Sequence, residues 1–375
     1  MMAILNATIF LANETSGMAT VEPYVRPFND VGIIVSASII FTFLVIGLIG
    51  NLTTIVVIAT TPQLKNIFMH FILSLCVSDL ISALISWLFL YRRTWGFDVW
   101  APLPEVFCRF YWASDLMTNY VTALHIFSFA LLRYISIQFP IHFKRLKLLH
   151  GKIWIAAIWV FTFLIGFIPF FIFFGARFRD RYSDAPDSRW PACTINSEWY
   201  ETYTLYQKIC YSTLLYAPSI GVVLLSILIG ATVRSRLSKM GSSTNNEKKK
   251  KKERQAVLQL LLIVLSFLIG YIPFTAYEFW SVEPRENTMY NRRADYWFGM
   301  IEYFFLRFSE CMNPLLYNLG SSKMRHYTKK LIVTKLCCSL GRKTSKVVSR
   351  TSATSDVDLS STSHTVARAN NQSTA

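Results

Sequence analysis

Residues 33–59 read IIVSASIIFTFLVIGLIGNLTTIVVIA, a run of apolar and small polar side chains without a charged residue. A helix rises ~1.5 Å per residue and needs about 20 apolar residues to cross the hydrocarbon core of a bilayer. The run therefore predicts a transmembrane helix. Comparable stretches follow it at 67–90, 108–136, 152–174, 208–232, 254–280 and 297–319. Together they predict an all-α membrane protein, a bundle of seven transmembrane helices.

The composition agrees with a membrane protein. Of the 375 residues, 53% are hydrophobic and only 16% are charged, whereas soluble domains carry about 25% charged residues. The sequence contains no glycine-rich nucleotide loop, zinc-ligand spacing or nucleophile motif, so it does not predict an enzyme. A resident cofactor is not expected either.

Several predicted spans carry polar or charged residues well inside the apolar run. Such residues are costly at bilayer depth, so they tend to mark function rather than packing. They indicate a signalling or transport protein and argue against a simple anchor. The residues are Asn51, Asp79, Asp115, Glu310 and Asn313.

Basic residues are concentrated after the fifth span, at 233–253, and after the seventh, at 321–346. Because Lys and Arg accumulate on the cytoplasmic side of a membrane, both segments are predicted to be cytosolic. The odd number of spans then places the N-terminus outside, in a multi-pass protein of the plasma membrane. The lysine run 248–252 could instead suggest nucleic-acid binding, but it adjoins a span. We expect membrane lipid as a partner and no nucleic acid.

The chain divides into four predicted segments. The first is an extracellular tail and the second the transmembrane domain. The third alternates basic and apolar residues at helical spacing, which predicts a short amphipathic helix on the membrane surface. The fourth is rich in Ser and Thr and is predicted to be a disordered cytosolic tail. Their boundaries are 1–32, 33–319, 320–338 and 339–375.

Three kinds of covalent modification are predicted. Asn6 and Asn13 open glycosylation sequons in the outer tail. Adjacent cysteines past the seventh span suggest palmitoylation, with unmodified thiols as the alternative; they are Cys337 and Cys338. Two other cysteines lie on the predicted outer side, one at the start of the third span and one in the loop between spans four and five. Disulfides persist in that compartment, so we predict one between them; they are Cys108 and Cys193.

Short motifs occur at particular depths in the successive spans and in the first outer loop. They are Gly50-Asn51, Asp79 in Leu75–Leu80, Trp95-Gly-Phe, Cys108, Arg133-Tyr134, Trp159, Pro169, Pro218, Phe267, Pro273 and Asn313-Pro-Leu-Leu-Tyr317. In this order they make the chain resemble the rhodopsin-like (class A) G-protein-coupled receptors over nearly its whole membrane portion. The resemblance implies a ligand bound outside and a heterotrimeric G protein activated inside, with a receptor kinase and an arrestin as further partners.

The resemblance also implies an activation switch, formed by Arg133, Tyr134, Glu253, Phe267, Pro273, Asn313, Pro314 and Tyr317. Leu132 stands where an acid usually precedes the arginine, which leaves Glu253 as the expected restraint on Arg133. The alternative is that Arg133 and Glu253 both face water at the membrane edge. Further departures are Tyr271 in place of tryptophan, Ser226 in place of tyrosine, and Met324 in place of an aromatic residue.

By the same resemblance, Asp79, Thr122, Ser309 and Asn313 surround an interior site for sodium. Oxygen ligands suit such a hard cation. Glu310 follows Ser309 and could add a second carboxylate. The alternative is a hydrogen-bonded polar cluster with water.

The ligand pocket is expected to involve Asp115, Asn119, Tyr211, Tyr271, Phe274, Glu278, Tyr303 and Arg307. Asp115 occupies the position where biogenic amine receptors hold a ligand ammonium. Arg307 should face it, and an internal ion pair would neutralise the carboxylate. Arg307 also lies where an opsin needs a lysine for its Schiff base. A guanidinium cannot replace that amine, which argues against a photoreceptor.

The predicted outer rim is acidic and aromatic, with Glu278, Glu302 and Tyr277 among its members. This rim suits the basic end of a short neuropeptide or another small polar ligand. Pairing of the acids with loop arginines would be a purely structural explanation. One alternative function is an amine receptor using Asp115. A seven-span transporter or channel is another, but internal repeats are not evident.

Overall fold

The computed structural model describes residues 25–176, 191–239, 244–282, 285–286 and 288–333. Seven long helices form one compact unit, which ends at Thr328. They are α1 Asp30–Thr60, α2 Ile67–Arg93, α3 Glu105–Gln138, α4 Leu148–Phe173, α5 Ser197–Lys239, α6 Thr244–Val282 and α7 Met289–Gly320. A short helix, Pro140–Arg145, connects α3 to α4. The seven-helix prediction is confirmed.

Most helices extend beyond the predicted spans, because polar turns continue the helix past its apolar run. Helices α5 and α6 begin at Ser197 and Thr244, well before the predicted 208 and 254. Asn29, Asn66 and Thr288 precede α1, α2 and α7, and each side chain accepts a hydrogen bond from a backbone N–H three residues on. Such caps satisfy donors that a helix N-terminus leaves free. The predicted fourth span ends one residue too late, since Phe174 belongs to a strand.

Apolar side chains cover the outer faces of the bundle. On α1, Phe41 and Ile49 expose about two thirds of their surface, and Ile220 and Ile227 on α5 do the same. A soluble surface rarely carries so much contiguous apolar area. Helices α1 to α6 are each long and apolar enough to cross a membrane. Helix α7 is equally long but carries charged residues on its buried face.

A small hairpin interrupts the all-helical architecture. Strand β1, Phe174–Ala176, pairs antiparallel with β2, Cys193–Ile195, with Gly175 opposite Thr194. The disulfide between Cys108 and Cys193 joins β2 to the start of α3, which confirms the predicted bond. We call this side of the bundle the disulfide end, and the side where α5 ends and α6 begins the lysine end.

Two helices contain a wider turn. Residues Phe163–Phe167 of α4 and Tyr211–Tyr216 of α5 form π-helical segments. Pro273 and Pro314 lie inside α6 and α7, where each removes a backbone hydrogen bond. Residues 322–333 are helical, but a helix lying on the membrane surface after the seventh span stays a prediction.

Candidate ligand site inside the helix bundle

An ion-pair cluster occupies the middle of the bundle. The Arg307 Nη2 lies 3.2 Å from Oδ1 of Asp115, which joins α7 to α3 as predicted. Its Nη1 lies 2.8 Å from Oε2 of Glu310, one turn along α7. The Ser82 hydroxyl on α2 donates to Oε1 of Glu310 at 3.0 Å. The arginine is 3% exposed. One buried guanidinium is therefore shared by two carboxylates, one on α3 and one on α7.

The residues predicted to hold sodium each have their own hydrogen-bond neighbour. Asn313 donates to Oδ2 of Asp79 at 3.0 Å. The Thr122 hydroxyl lies 3.3 Å from that of Ser78 on α2. The Ser309 hydroxyl lies 3.4 Å from that of Ser266 on α6. Each oxygen ligand thus has a different neighbour.

A cavity of about 10 Å³ lies beside this cluster, and Asp79, Arg307 and Glu310 line it. A volume of this size holds about one water molecule. The Oδ1 of Asp79 is buried and accepts no hydrogen bond from the described residues. Asp79 and Glu310 bring two carboxylates to the cavity and Arg307 brings one guanidinium. The sodium site and its alternative, a polar cluster with water, both stay predictions.

A second charge cluster lies nearer the disulfide end, and the sequence analysis missed it. Arg93 at the end of α2 donates through Nη2 to the Tyr277 hydroxyl at 2.9 Å. Its Nη1 lies 3.7 Å from Oδ2 of Asp295 on α7. The neighbouring Arg92 donates to the Cys193 carbonyl at 2.9 Å. A sequence signal existed, since two adjacent arginines at an outer helix end depart from the positive-inside distribution.

Aromatic side chains line the space between the two clusters. The Tyr271 hydroxyl donates to the Asn119 carbonyl at 3.2 Å, and the Tyr271 ring lies 6.2 Å from that of Phe274. Tyr211 packs against Phe274 at 6.0 Å. The structure thus brings these predicted residues of α3, α5 and α6 together.

The predicted pocket residues of α6 and α7 also face the interior. Glu278 accepts a hydrogen bond from Gln207 at 3.0 Å. The Tyr303 ring stacks on Phe89 with centroids 3.5 Å apart, and the Arg307 guanidinium lies 4.6 Å from its centroid. Arg307 thus contacts both Asp115 and Tyr303, and Asn119, Tyr211, Tyr271 and Phe274 form a second contact group. Their role in ligand binding stays a prediction.

The predicted switch is only partly assembled. The Arg133 guanidinium lies 4.1 Å from the centroid of Phe68 on α2 and 5.6 Å from that of Phe129. It makes no ion pair with Glu253, although the structure describes both residues. The expected pair is absent because the arginine leans toward α2, where two aromatic faces receive it, and away from α6.

The remaining switch residues lie on α3, α6 and α7. The Phe267 ring packs against Tyr271, with centroids 4.3 Å apart, and Tyr134 lies 6.4 Å from Phe139. The Tyr317 hydroxyl is buried and has no hydrogen-bond partner in the described part of the chain. Ser226, where a tyrosine was expected, donates to its own helix at the Val222 carbonyl.

Four predicted modification sites lie outside the described residues. They are Asn6, Asn13, Cys337 and Cys338. The glycosylation and palmitoylation of these residues stay predictions.

Seven long helices with apolar outer faces and a charged interior define a multi-pass membrane protein with a polar site inside its bundle. The family model for the seven-transmembrane receptors of the rhodopsin family matches residues 50–317, and the chain belongs to that family. It is accordingly a receptor and not an enzyme.

Individual relatives are similar over most of their length. The chain is 24% identical to human neurotensin receptor type 1 over 345 residues, which cover 86% of this chain and 80% of that receptor. It is 25% identical to the pig growth hormone secretagogue receptor type 1 over 301 residues, or 77% and 78% of the two chains. It is 24% identical to the green-sensitive opsin of chicken over 333 residues, or 86% of each.

Proposed function

We propose that this receptor lies in the plasma membrane with its disulfide end outside. It binds a short peptide, or another small polar ligand with a basic group, inside that end, and activates a heterotrimeric G protein at the lysine end. A receptor kinase and an arrestin act on the Ser- and Thr-rich segment 339–375, which lies outside the described residues.

The observation that carries the ligand proposal is the ion pair between Asp115 and Arg307. An amine receptor needs a free carboxylate at Asp115, and here a guanidinium on α7 already pairs with it. A monoamine would have to displace that arginine. Relatives named for neurotensin and somatostatin support a peptide instead, at 24% identity each.

Coupling to a G protein is supported by the family and by charge. The end of α5 and the start of α6 carry Arg234, Arg236, Lys250 and Lys251 at the lysine end. Basic residues there agree with a cytoplasmic location. Without the Arg133–Glu253 pair, Arg133 packs on the rings of Phe68 and Phe129, so α6 is not tied to α3 through this contact.

The test compares two ligand libraries on cells that express the receptor, with second-messenger output as the readout. One library contains amidated peptides with Arg or Lys at either end, and the other contains monoamines. We expect peptide hits that are absent from cells without the receptor. A monoamine that signals, loses its effect in Asp115→Asn and keeps it in Arg307→Gln would overturn the peptide proposal in favour of the amine alternative.

A further inference from the structure

A buried carboxylate on α7 lies between the two charge clusters. Glu302 is seven residues, or ~10 Å along a helix, from Asp295, which pairs with Arg93. It is five residues, or ~7 Å, from Arg307, which pairs with Asp115. It therefore sits at the level of the ligand region, with a charge cluster above and another below.

Among the described residues, the Glu302 side chain forms no ion pair. The residue is 6% exposed, and its Oε2 accepts no hydrogen bond from the described residues. Ion pairs in the described part of the chain go to other acids, namely Asp98, Asp295, Glu105, Asp115 and Glu310. A carboxylate buried in this way is costly unless a cation or donors reach it.

The charged groups around Glu302 come from several helices, so the carboxylate points into the bundle. It feels the negative charges of Glu278 on α6 and Asp115 on α3 and the positive charges of Arg93 and Arg307. Both arginines already bind other carboxylates. Arg92, the third arginine of these clusters, donates to the Cys193 carbonyl. Four acids, Glu302, Glu278, Asp115 and Asp295, thus face three arginines, so the region lacks one positive charge.

We propose that Glu302 is a subsite for a cationic group of the ligand, a guanidinium or an ammonium. This deepens the proposed function, because it assumes that the ligand enters at the disulfide end. A guanidinium has enough donors for both oxygens of the carboxylate. Its planar fork also matches a carboxylate in two parallel hydrogen bonds.

The subsite differs from the position that an amine ligand would use. Asp115 is paired with Arg307, whereas Glu302 lies about one and a half turns nearer the disulfide end than Arg307 on α7 and forms no ion pair within the described residues. A cationic ligand would therefore bind Glu302 without first breaking an ion pair of the protein.

The test uses the full-length protein in lipid nanodiscs and follows its thermal unfolding. The probe is N-acetyl-arginine amide, and N-acetyl-citrulline amide of the same shape but without charge is the control. The arginine probe at a concentration well above its Kd should raise the Tm of the wild type by about 2–4 °C. The citrulline probe should leave it unchanged. In Glu302→Gln the arginine shift should disappear.

Glu286→Gln removes an exposed acid near the same end and should respond as the wild type does. Glu302→Gln keeps the side-chain shape and removes a stranded charge, so the variant should fold; Glu302→Met offers the same test if it does not. The proposal is rejected if the variant at 302 shifts as much as the wild type, or if the wild type does not shift at tens of millimolar probe. The assay contains no G protein, so it tests the subsite separately from the proposed signalling function. Failure of the signalling test would leave this result unchanged.

Discussion

Arg307 is held on two sides, and the two bonds are not equivalent. It binds Asp115 across the bundle at 3.2 Å and Glu310 on its own helix at 2.8 Å. Removing the arginine strands two buried carboxylates, whereas removing Asp115 leaves the arginine paired with Glu310. Breaking a buried ion pair from one side costs about 3–5 kcal/mol.

We therefore expect Arg307→Ala to lower thermal stability and surface expression more than Asp115→Ala does. The swap of Asp115→Arg with Arg307→Asp should recover only part of the loss, because the new aspartate would lie beside Glu310. Thermal unfolding of the purified variants and surface labelling of cells measure both effects. Equal losses in the two single variants would show that Glu310 contributes nothing to the arginine.

At this scale the sequence and the resemblance predicted the pair of Asp115 and Arg307, since both depths were fixed by motifs. They did not predict the partner of Glu310, which was assigned to the sodium cluster. From its position on α7, the Glu310 side chain could reach either Arg307 or the residues around Asp79. Only the packing of the helices decides between these two partners. Arg93 was missed for another reason: an arginine at a helix end usually reaches water, whereas this one turns inward to Tyr277 and Asp295.

At the scale of elements, α6 and α7 approach each other closely where a glycine allows it. A Cβ built on Gly270 would lie 2.8 Å from Cβ of Ser309 and 3.4 Å from the backbone of Leu306. The backbone of α7 cannot give way as a flexible side chain could. Gly270→Val should therefore destabilise the protein by about 1–3 kcal/mol, the usual cost of overpacking.

Gly230 is the matched control for that substitution, because a Cβ at this position would meet nothing within 4 Å. Gly230→Ala should leave the Tm unchanged or raise it slightly, since alanine favours a helix interior. Thermal unfolding of Gly270→Ala, Gly270→Val and Gly230→Ala should show a graded loss at 270 only. Similar Tm values for all three would mean that α6 and α7 separate without cost.

The contact between α3 and its neighbours leads to a different expectation for the switch. The resemblance made Glu253 the expected restraint on Arg133, so loss of that ion pair in Glu253→Ala would have raised basal signalling. In the structure the arginine packs on Phe68 of α2 instead. We therefore expect Phe68→Leu to raise basal signalling and Glu253→Ala to change it less than twofold.

Second-messenger output at matched surface level distinguishes these variants. A shift of one to two kcal/mol would correspond to a rise of roughly five- to thirtyfold in active receptor. A rise of that size in Glu253→Ala would show that the ion pair forms in the resting receptor. The helices were predictable because about 20 apolar residues are enough to cross a bilayer. The orientation of the Arg133 side chain was not, because it depends on the rings of Phe68 and Phe129 on two different helices.

At the scale of the whole molecule, an odd number of helices means that the chain enters the bundle at one end and leaves it at the other. Helix α1 starts beside α7, where Gly32 lies against Trp297, so the chain before Asp30 enters at the disulfide end. The lysine end carries the connection from α5 to α6 instead. A disulfide needs an oxidising compartment, and basic residues favour the cytosol. The disulfide and the basic residues lie at opposite ends of the bundle, so these two independent rules predict the same orientation.

This orientation predicts glycosylation of the segment before α1, at Asn6 and Asn13. Glycans are added only on the side that becomes extracellular, so treatment with a glycosidase should increase the gel mobility of the wild type. The double variant Asn6→Gln with Asn13→Gln should already migrate at that position. Asn371→Gln, in a sequon at the other end of the chain, should behave as the wild type. A glycosidase shift that survives in the double variant but disappears in Asn371→Gln would invert the proposed topology, and with it the assignment of the disulfide end to the ligand.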